Sequence, residues 1–246
     1  MPDRDAATSS APGVKALLFD VFGTVVDWRG SLIADLSAWA QARGLRGDWG
    51  ALVDAWRAAY VPSMDEVRRH PERGFVNLDA LHRQSLERLV AAQPIEGFTE
   101  ADFDHVNRGW HRLDPWPDSV SGLTRLKRKF IVSPLSNGNV ALLVDMAKHA
   151  GLPWDLVLSA EVFQHYKPDP ESYLGAARLL GLQPAEVMMV AAHNNDLEAA
   201  QDCGLATCFV PRPTEYGPLQ KRDFKAEGDW TLVVRDLDDL ADRLGC

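Results

Sequence analysis

Apolar residues in this chain follow two spacings. Near the start, Leu17-Leu18-Phe19 forms a short unbroken apolar run that ends on Asp20 and breaks at Gly23. A run of that length bounded by a turn residue predicts a buried strand. From residue 28 to about residue 111 the spacing becomes that of a helix face, and no run predicts a strand. Leu32, Leu36 and Trp39 share a face of a helix opening at Ser31 and stopped by Gly44. Leu52, Val53, Trp56 and Tyr60 predict a second helix over 48–60, with Pro62 as its terminator. A third is predicted over 78–92. A fourth, over 99–111, starts with a capping Thr99 and acids in its first turn.

Near Pro115 the pattern changes again. Helices are predicted over 119–129, from 139 to His149, over 171–180, 195–203 and 236–244. Strands are predicted over 130–135, 156–159, 187–190, 206–210 and 231–234. Strands alternating with helices of these lengths predict an α/β core with a doubly wound, Rossmann-like parallel sheet. The chain therefore divides into a loose polar tail (1–13), an α/β core (14–27 and 115–246) and a helical cap inserted after the first strand (28–114).

Composition narrows the partners. The 246 residues are 46% hydrophobic, enough for one large core or two smaller ones, and carry a net charge of −9. That charge argues against nucleic acid, whose phosphates reward clustered Lys and Arg. The basic run from Arg125 to Lys129 reads as a solvated helix end. No stretch approaches the roughly 20 apolar residues of a membrane span, and the first residues lack a signal-peptide core. Cys203, Cys208 and Cys246 are an odd set without a CxxC pair, as expected of reduced thiols in a cytoplasmic protein.

Candidate chemistry gathers at strand ends. Asp20 follows the first strand. Ser136 and Asn137 follow the strand over 130–135. Lys167 lies in a loop before a helix, and Asp196 follows the loop Ala191-Ala192-His193-Asn194-Asn195. Taken singly, Asp20 is a nucleophile, a metal ligand or a turn cap, Ser-Asn-Gly is a turn, and Lys-Pro is a surface loop. Together they converge on the carboxyl edge of one parallel sheet, where a ligand cleft is expected.

In this order the four sites resemble the haloacid dehalogenase superfamily, in which a cap is commonly inserted after the first motif. Most members are magnesium-dependent phosphatases, with an Asp-x-Asp-x-Thr motif and a Gly-Asp after a later strand. Here Phe22 stands at the second Asp, and Ala191-Ala192 at the Gly-Asp. An alkoxide leaving group needs a proton, whereas a halide does not, so losing the acid suits carbon–halogen cleavage. Magnesium wants several hard oxygen ligands, so no metal and no other cofactor is expected. Phe-Asp-Val-Phe-Gly-Thr, Leu-Ser-Asn-Gly and Tyr-Lys-Pro-Asp are similar to the L-2-haloacid dehalogenase branch.

That resemblance implies hydrolysis of short 2-haloalkanoic acids to 2-hydroxy acid and halide through an aspartyl ester. Asp20 would be the nucleophile, Lys167 would keep it ionised, and Asp196 would position water. Arg57, after Trp56, would receive the halide together with Asn137. Ser136 and the backbone N–H groups of Val21 and Phe22 would hold the substrate carboxylate, with Tyr173 matching a further family position. Where the branch has Ser-Ser-Asn, this chain has Ala191-Ala192-His193; the resemblance implies that a hydroxyl holding the lysine or the hydrolytic water is lost and that His193 is gained as an acid, base or leaving-group donor. Dimers are common in the branch. Two other readings stay open: a magnesium-dependent phosphatase that tolerates Phe22, and a non-catalytic binding member of the fold.

Overall fold

Strand β1, Ala16–Phe19, is wholly buried, and its side chains alternate between two cores. Leu17 and Phe19 join a large apolar cluster that continues into the inserted helices, while Ala16 and Leu18 join a smaller one on the opposite face. Burial on both faces is why the run is unbroken rather than alternating. Each fully buried Leu contributes about 1.5–3 kcal/mol relative to exposure. The computed structural model describes residues 13–93, 95 and 97–246; the predicted tail lies, but for Gly13, outside the described residues.

A two-residue antiparallel ribbon closes the insertion. β2 (Val26–Asp27) pairs with β3 (Asp114–Pro115), Val26 opposite Pro115 and Asp27 opposite Asp114. Between them the regular elements are helical: α1 (Trp28–Arg43), α2 (Trp49–Ala58), α3 (Tyr60–Arg69), α4 (Leu78–Ala91) and α5 (Glu100–Asn107). α1 begins three residues before the predicted Ser31, because Asp27 caps it through the Gly30 N–H at 2.8 Å; it ends at the left-handed Gly44 as predicted. The helix predicted over 48–60 ends at Ala58, and a new helix starts at Tyr60. Pro62 lies in the first turn of α3 and terminates nothing. First-turn N–H groups have no intrahelical acceptor, so proline costs little there. α5 carries the predicted Thr99 cap, as a capping box with Asp102, but ends at Asn107 and gives way to a 3₁₀ turn over Arg108–His111.

The core continues as α6 (Ser119–Leu126), β4 (Ile131–Ser136), α7 (Val140–Ala150), β5 (Leu158–Ser159), the short α8 (Ala160–Phe163), α9 (Pro170–Leu179), β6 (Val187–Ala191), α10 (Asn194–Asp202), β7 (Ala206–Phe209), β8 (Leu232–Val233) and α11 (Leu237–Arg243). The six core strands form one sheet in the order β5-β4-β1-β6-β7-β8, and every pairing is parallel. β1 is central, with β4 on one side and β6 on the other. The winding reverses at β1, so a crevice opens beyond its carboxyl end. Asp20 stands at that point.

Candidate active site

Asp20 lies one residue past β1 and is buried. Its Oδ1 accepts a hydrogen bond from Lys167 Nζ at 3.0 Å. Its Oδ2 accepts one from Thr24 Oγ1 at 2.8 Å and faces His193 Nδ1 at 3.0 Å. Burial alone would raise the carboxyl pKa, but the Lys167 charge, His193 and Thr24 together hold it well below the usual carboxylate range. Asp20 is therefore ionised although it is buried.

Lys167 bridges the two acids, with Nζ 2.5 Å from Asp196 Oδ2. Burial disfavours its charge, but Asp196 and Asp20 outweigh that and raise its pKa. Its loop is tied down by Asn137, whose Oδ1 accepts from the Lys167 N–H at 2.7 Å. Tyr173 on α9 donates to Asp196 Oδ1 at 2.5 Å. Burial and the nearby Asp20 charge push the Asp196 pKa up, so it is the more basic of the two acids. Ser136, at the end of β4, accepts from the Gly138 N–H at 3.1 Å.

His193, just before α10, lies between two carboxylates. Nδ1 faces Asp20, and Nε2 faces Glu215 Oε2 at 2.9 Å. Both partners can only accept, so both ring nitrogens carry protons. Burial opposes that charge, but Glu215 and Asp20 raise the pKa well above the ordinary value. Glu215 is 1% exposed and also accepts from Trp28 Nε1 at 2.9 Å. It comes from the irregular loop after β7, which Arg212 pins to the core through Asp118 (2.7 and 2.8 Å) and the Thr24 carbonyl (3.0 Å).

Arg57 on α2 reaches the same place. Its guanidinium lies 4.2 Å from the Tyr60 ring and 5.1 Å from the Trp28 ring, with Nη2 4.0 Å from Glu215. Among the described residues its buried Nη1 has no hydrogen-bond partner. Phe22 packs edge-on against Tyr60 and Trp110, with ring centroids 6.2 and 5.5 Å apart. The buried carboxylates Asp20 and Asp196 thus meet Lys167, His193 and Arg57 around a cavity of about 300 Å³, with Glu215 behind His193.

Of the residues predicted from sequence, Asp20, Phe22, Arg57, Asn137, Lys167, Tyr173, His193 and Asp196 all line this cavity. Val21 and Ser136 do not line it, though no backbone hydrogen bond among the described residues uses the N–H of Val21 or Phe22. Asn137, expected beside the halide, has its amide oxygen committed to the Lys167 loop. Sequence reasoning missed Glu215, which lies where no periodicity marks it. It also passed over Thr24, although that residue closes the first motif.

A parallel sheet with an aspartate–lysine–aspartate cluster at its switch point, roofed by an inserted helical cap, defines a class of α/β hydrolases. The family model for haloacid dehalogenase-like hydrolases matches residues 14–204, and the chain belongs to that family. It is similar to a crystal structure of an L-2-haloacid dehalogenase, with 51% identity, a TM-score of 0.92, and coverage of 95% of this chain and 99% of the other. A defluorinating L-2-haloacid dehalogenase superposes with a TM-score of 0.92 at 46% identity, covering 100% of each chain. The (S)-2-haloacid dehalogenase of Xanthobacter autotrophicus is 28% identical over 204 residues, 81% of this chain and 76% of that protein.

Proposed function

We propose that the protein hydrolyses short 2-haloalkanoic acids to 2-hydroxy acid and halide, through an ester on Asp20 and without a metal. The observation that carries this reading is the setting of Asp20, a buried, ionised carboxylate lining a small cavity with the uncommitted Arg57 donor across from it. Asp20 displaces the halogen from C2, and the C–X bond electrons leave with the halide toward Arg57. A fixed cation there stabilises charge that develops only in the transition state. The substrate carboxylate is held by the backbone N–H of Phe22, which has no backbone acceptor among the described residues, with the Phe22 and Tyr60 rings as apolar walls. Water positioned by Asp196 then attacks the ester carbon. Lys167, within hydrogen-bond reach of Asp20 Oδ1 and of Asp196, supplies the proton the departing alkoxide needs and regains one from Asp196. Tyr173 orients Asp196.

A magnesium ion shared by the first and last acids does not suit this donor set. Each of the four carboxylate oxygens already accepts from Lys167, His193, Thr24 or Tyr173. An ammonium and an imidazolium flank Asp20 and would repel a divalent cation. The phosphatase reading also lacks an acid at Phe22. Among the described residues no helix is long and apolar enough to cross a membrane. The free Cys203, Cys208 and Cys246 support a place in the reducing cytoplasm.

One experiment tests the ester route. A single turnover of 2-chloropropionate in ¹⁸O-water, with chelator present, is expected to place the label in Asp20, and Asp20→Asn to release no halide. Label found directly in the first-turnover product, or halide release that stops on chelation, overturns the reading.

A further inference from the structure

The two oxygens of Asp20 are not equivalent. Oδ1 faces one donor, Lys167 Nζ at 3.0 Å, while Oδ2 faces two, Thr24 Oγ1 at 2.8 Å and His193 Nδ1 at 3.0 Å. A carboxylate oxygen has two in-plane acceptor sites. Oδ1 therefore keeps one lone pair free and is the oxygen that attacks carbon. Oδ2 then becomes the carbonyl oxygen of the ester, with two donors already aimed at it.

We propose that Thr24 and His193 form the oxyanion hole for ester hydrolysis, and that Glu215 is the positioning residue that keeps His193 an imidazolium during that step. The inference rests on the ester route above. Water oxygen bonds to Cγ, the carbonyl π pair moves onto Oδ2, and one water proton goes to Asp196. On collapse the pair returns from Oδ2, and the Cγ–Oδ1 bond breaks with its electrons on Oδ1. Lys167 protonates that oxygen, which leaves as the hydroxyl of the product. Asp196 returns its proton to Lys167, and Asp20 loses the second water proton to solvent as it ionises again.

Alkylation explains the need for Glu215. In the resting site two anions, Asp20 and Glu215, hold the imidazole protonated. Once Asp20 is an ester its charge is gone, and Glu215 is the remaining anion in contact. It cannot swing away, because Trp28 Nε1 holds its Oε1 at 2.9 Å and its side chain is 1% exposed. The other charges facing the ring lie beyond these two: Arg57 on α2 behind Glu215, and Lys167 behind Asp20 with Asp196 past it. Thr24 is fixed as a donor toward Asp20, because its Oγ1 accepts from the Ala192 N–H at 2.9 Å. In the resting site both donors already stand 2.8 and 3.0 Å from the oxygen on which the charge would develop.

The test separates the two half-reactions. Excess 2-chloropropionate is mixed with full-length enzyme, the chloride burst is recorded, and the ester on Asp20 is followed by intact mass. Glu215→Gln is expected to give a full burst, one chloride per site, and then to hydrolyse the ester about 10²–10³-fold more slowly than wild type. Its ester decay is also expected to fall as pH rises from about 6 to about 8, where wild type stays level, because only the variant lets His193 lose its proton there. Thr24→Val is expected to accumulate the same ester with a level pH profile, and Thr24→Ser to recover. If Glu215→Gln does not fold, the Thr24 pair decides. Wild-type decay rates and pH profiles in both Glu215→Gln and Thr24→Val overturn the oxyanion hole while leaving the ester route standing. A wild-type enzyme that forms no ester overturns the route beneath it.

Discussion

Gly23 shows how much one residue without a side chain decides. Its φ is +90°, and a Cβ built there would fall 2.2 Å from Glu215 Oε1. The site needs a left-handed turn after the nucleophile and an empty space for a buried carboxylate, and only glycine supplies both. Gly23→Ala is expected to lower stability by about 1–3 kcal/mol from backbone conformation alone and, by displacing Glu215, to accumulate ester as Glu215→Gln does. Urea denaturation and the ester decay rate check the two halves, and a wild-type decay rate would show that Glu215 holds its position without that space. At this scale Asp20, Lys167 and Asp196 are legible in the sequence because each sits in a short motif at or after a strand end. Glu215 is not. It lies in an irregular loop among Arg212, Pro213 and Thr214, and only the folded loop, pinned by Arg212 to Asp118, brings it to His193.

Elements were legible where one face is apolar and the ends are capped, as in α1, α4 and α5. They were misread where a proline had two meanings: Pro62 stops a helix from inside but is welcome in the first turn of the next. α4 also carries a feature that no pattern marks. His82 is 1% exposed, stacked on Trp110 at 4.3 Å, with neither ring nitrogen hydrogen-bonded among the described residues. Burial, aided by the Arg57 charge, pushes its pKa down to about 3 against a nearby Asp79. The unfolded chain binds this proton below about pH 6.5 and the folded one does not, so stability present above about pH 6.5 is lost as pH falls. By about pH 5 that loss is about 2 kcal/mol. His82→Phe keeps the stack and removes the titrating group, so its unfolding free energy is expected to decline less between about pH 7.5 and about pH 5. Equal declines in the two proteins would mean that the ring is protonated in place.

The molecule as a whole works only if cap and core stay in register, since Arg57 comes from one and Asp20 from the other. The joint that fixes them is polar. Asp79 on α4 accepts from Asn139 Nδ2 at 2.8 Å, and Asn139 starts α7 directly after the turn that carries Asn137. His111, just before the return strand β3, faces Asp79 at 3.0 Å through Nε2 and Asp145 on α7 at 2.9 Å through Nδ1. Burial works against its charge, but those two carboxylates outweigh it and raise the pKa above the ordinary value. Its contribution has the opposite sign to that of His82: fully present below about pH 6.5, and lost as pH rises through the raised folded-state value. His111→Asn is therefore expected to cost most stability near pH 6, with a deficit that narrows toward alkaline pH. A loosened joint separates Arg57 from Asp20, so the chloride burst should slow more than the decay of ester already formed, because of the groups serving that decay only Trp28, which holds Glu215, belongs to the cap. Denaturation at two pH values together with the burst rate checks both, and a deficit that widens with pH would mean that His111 is held neutral between its two acids.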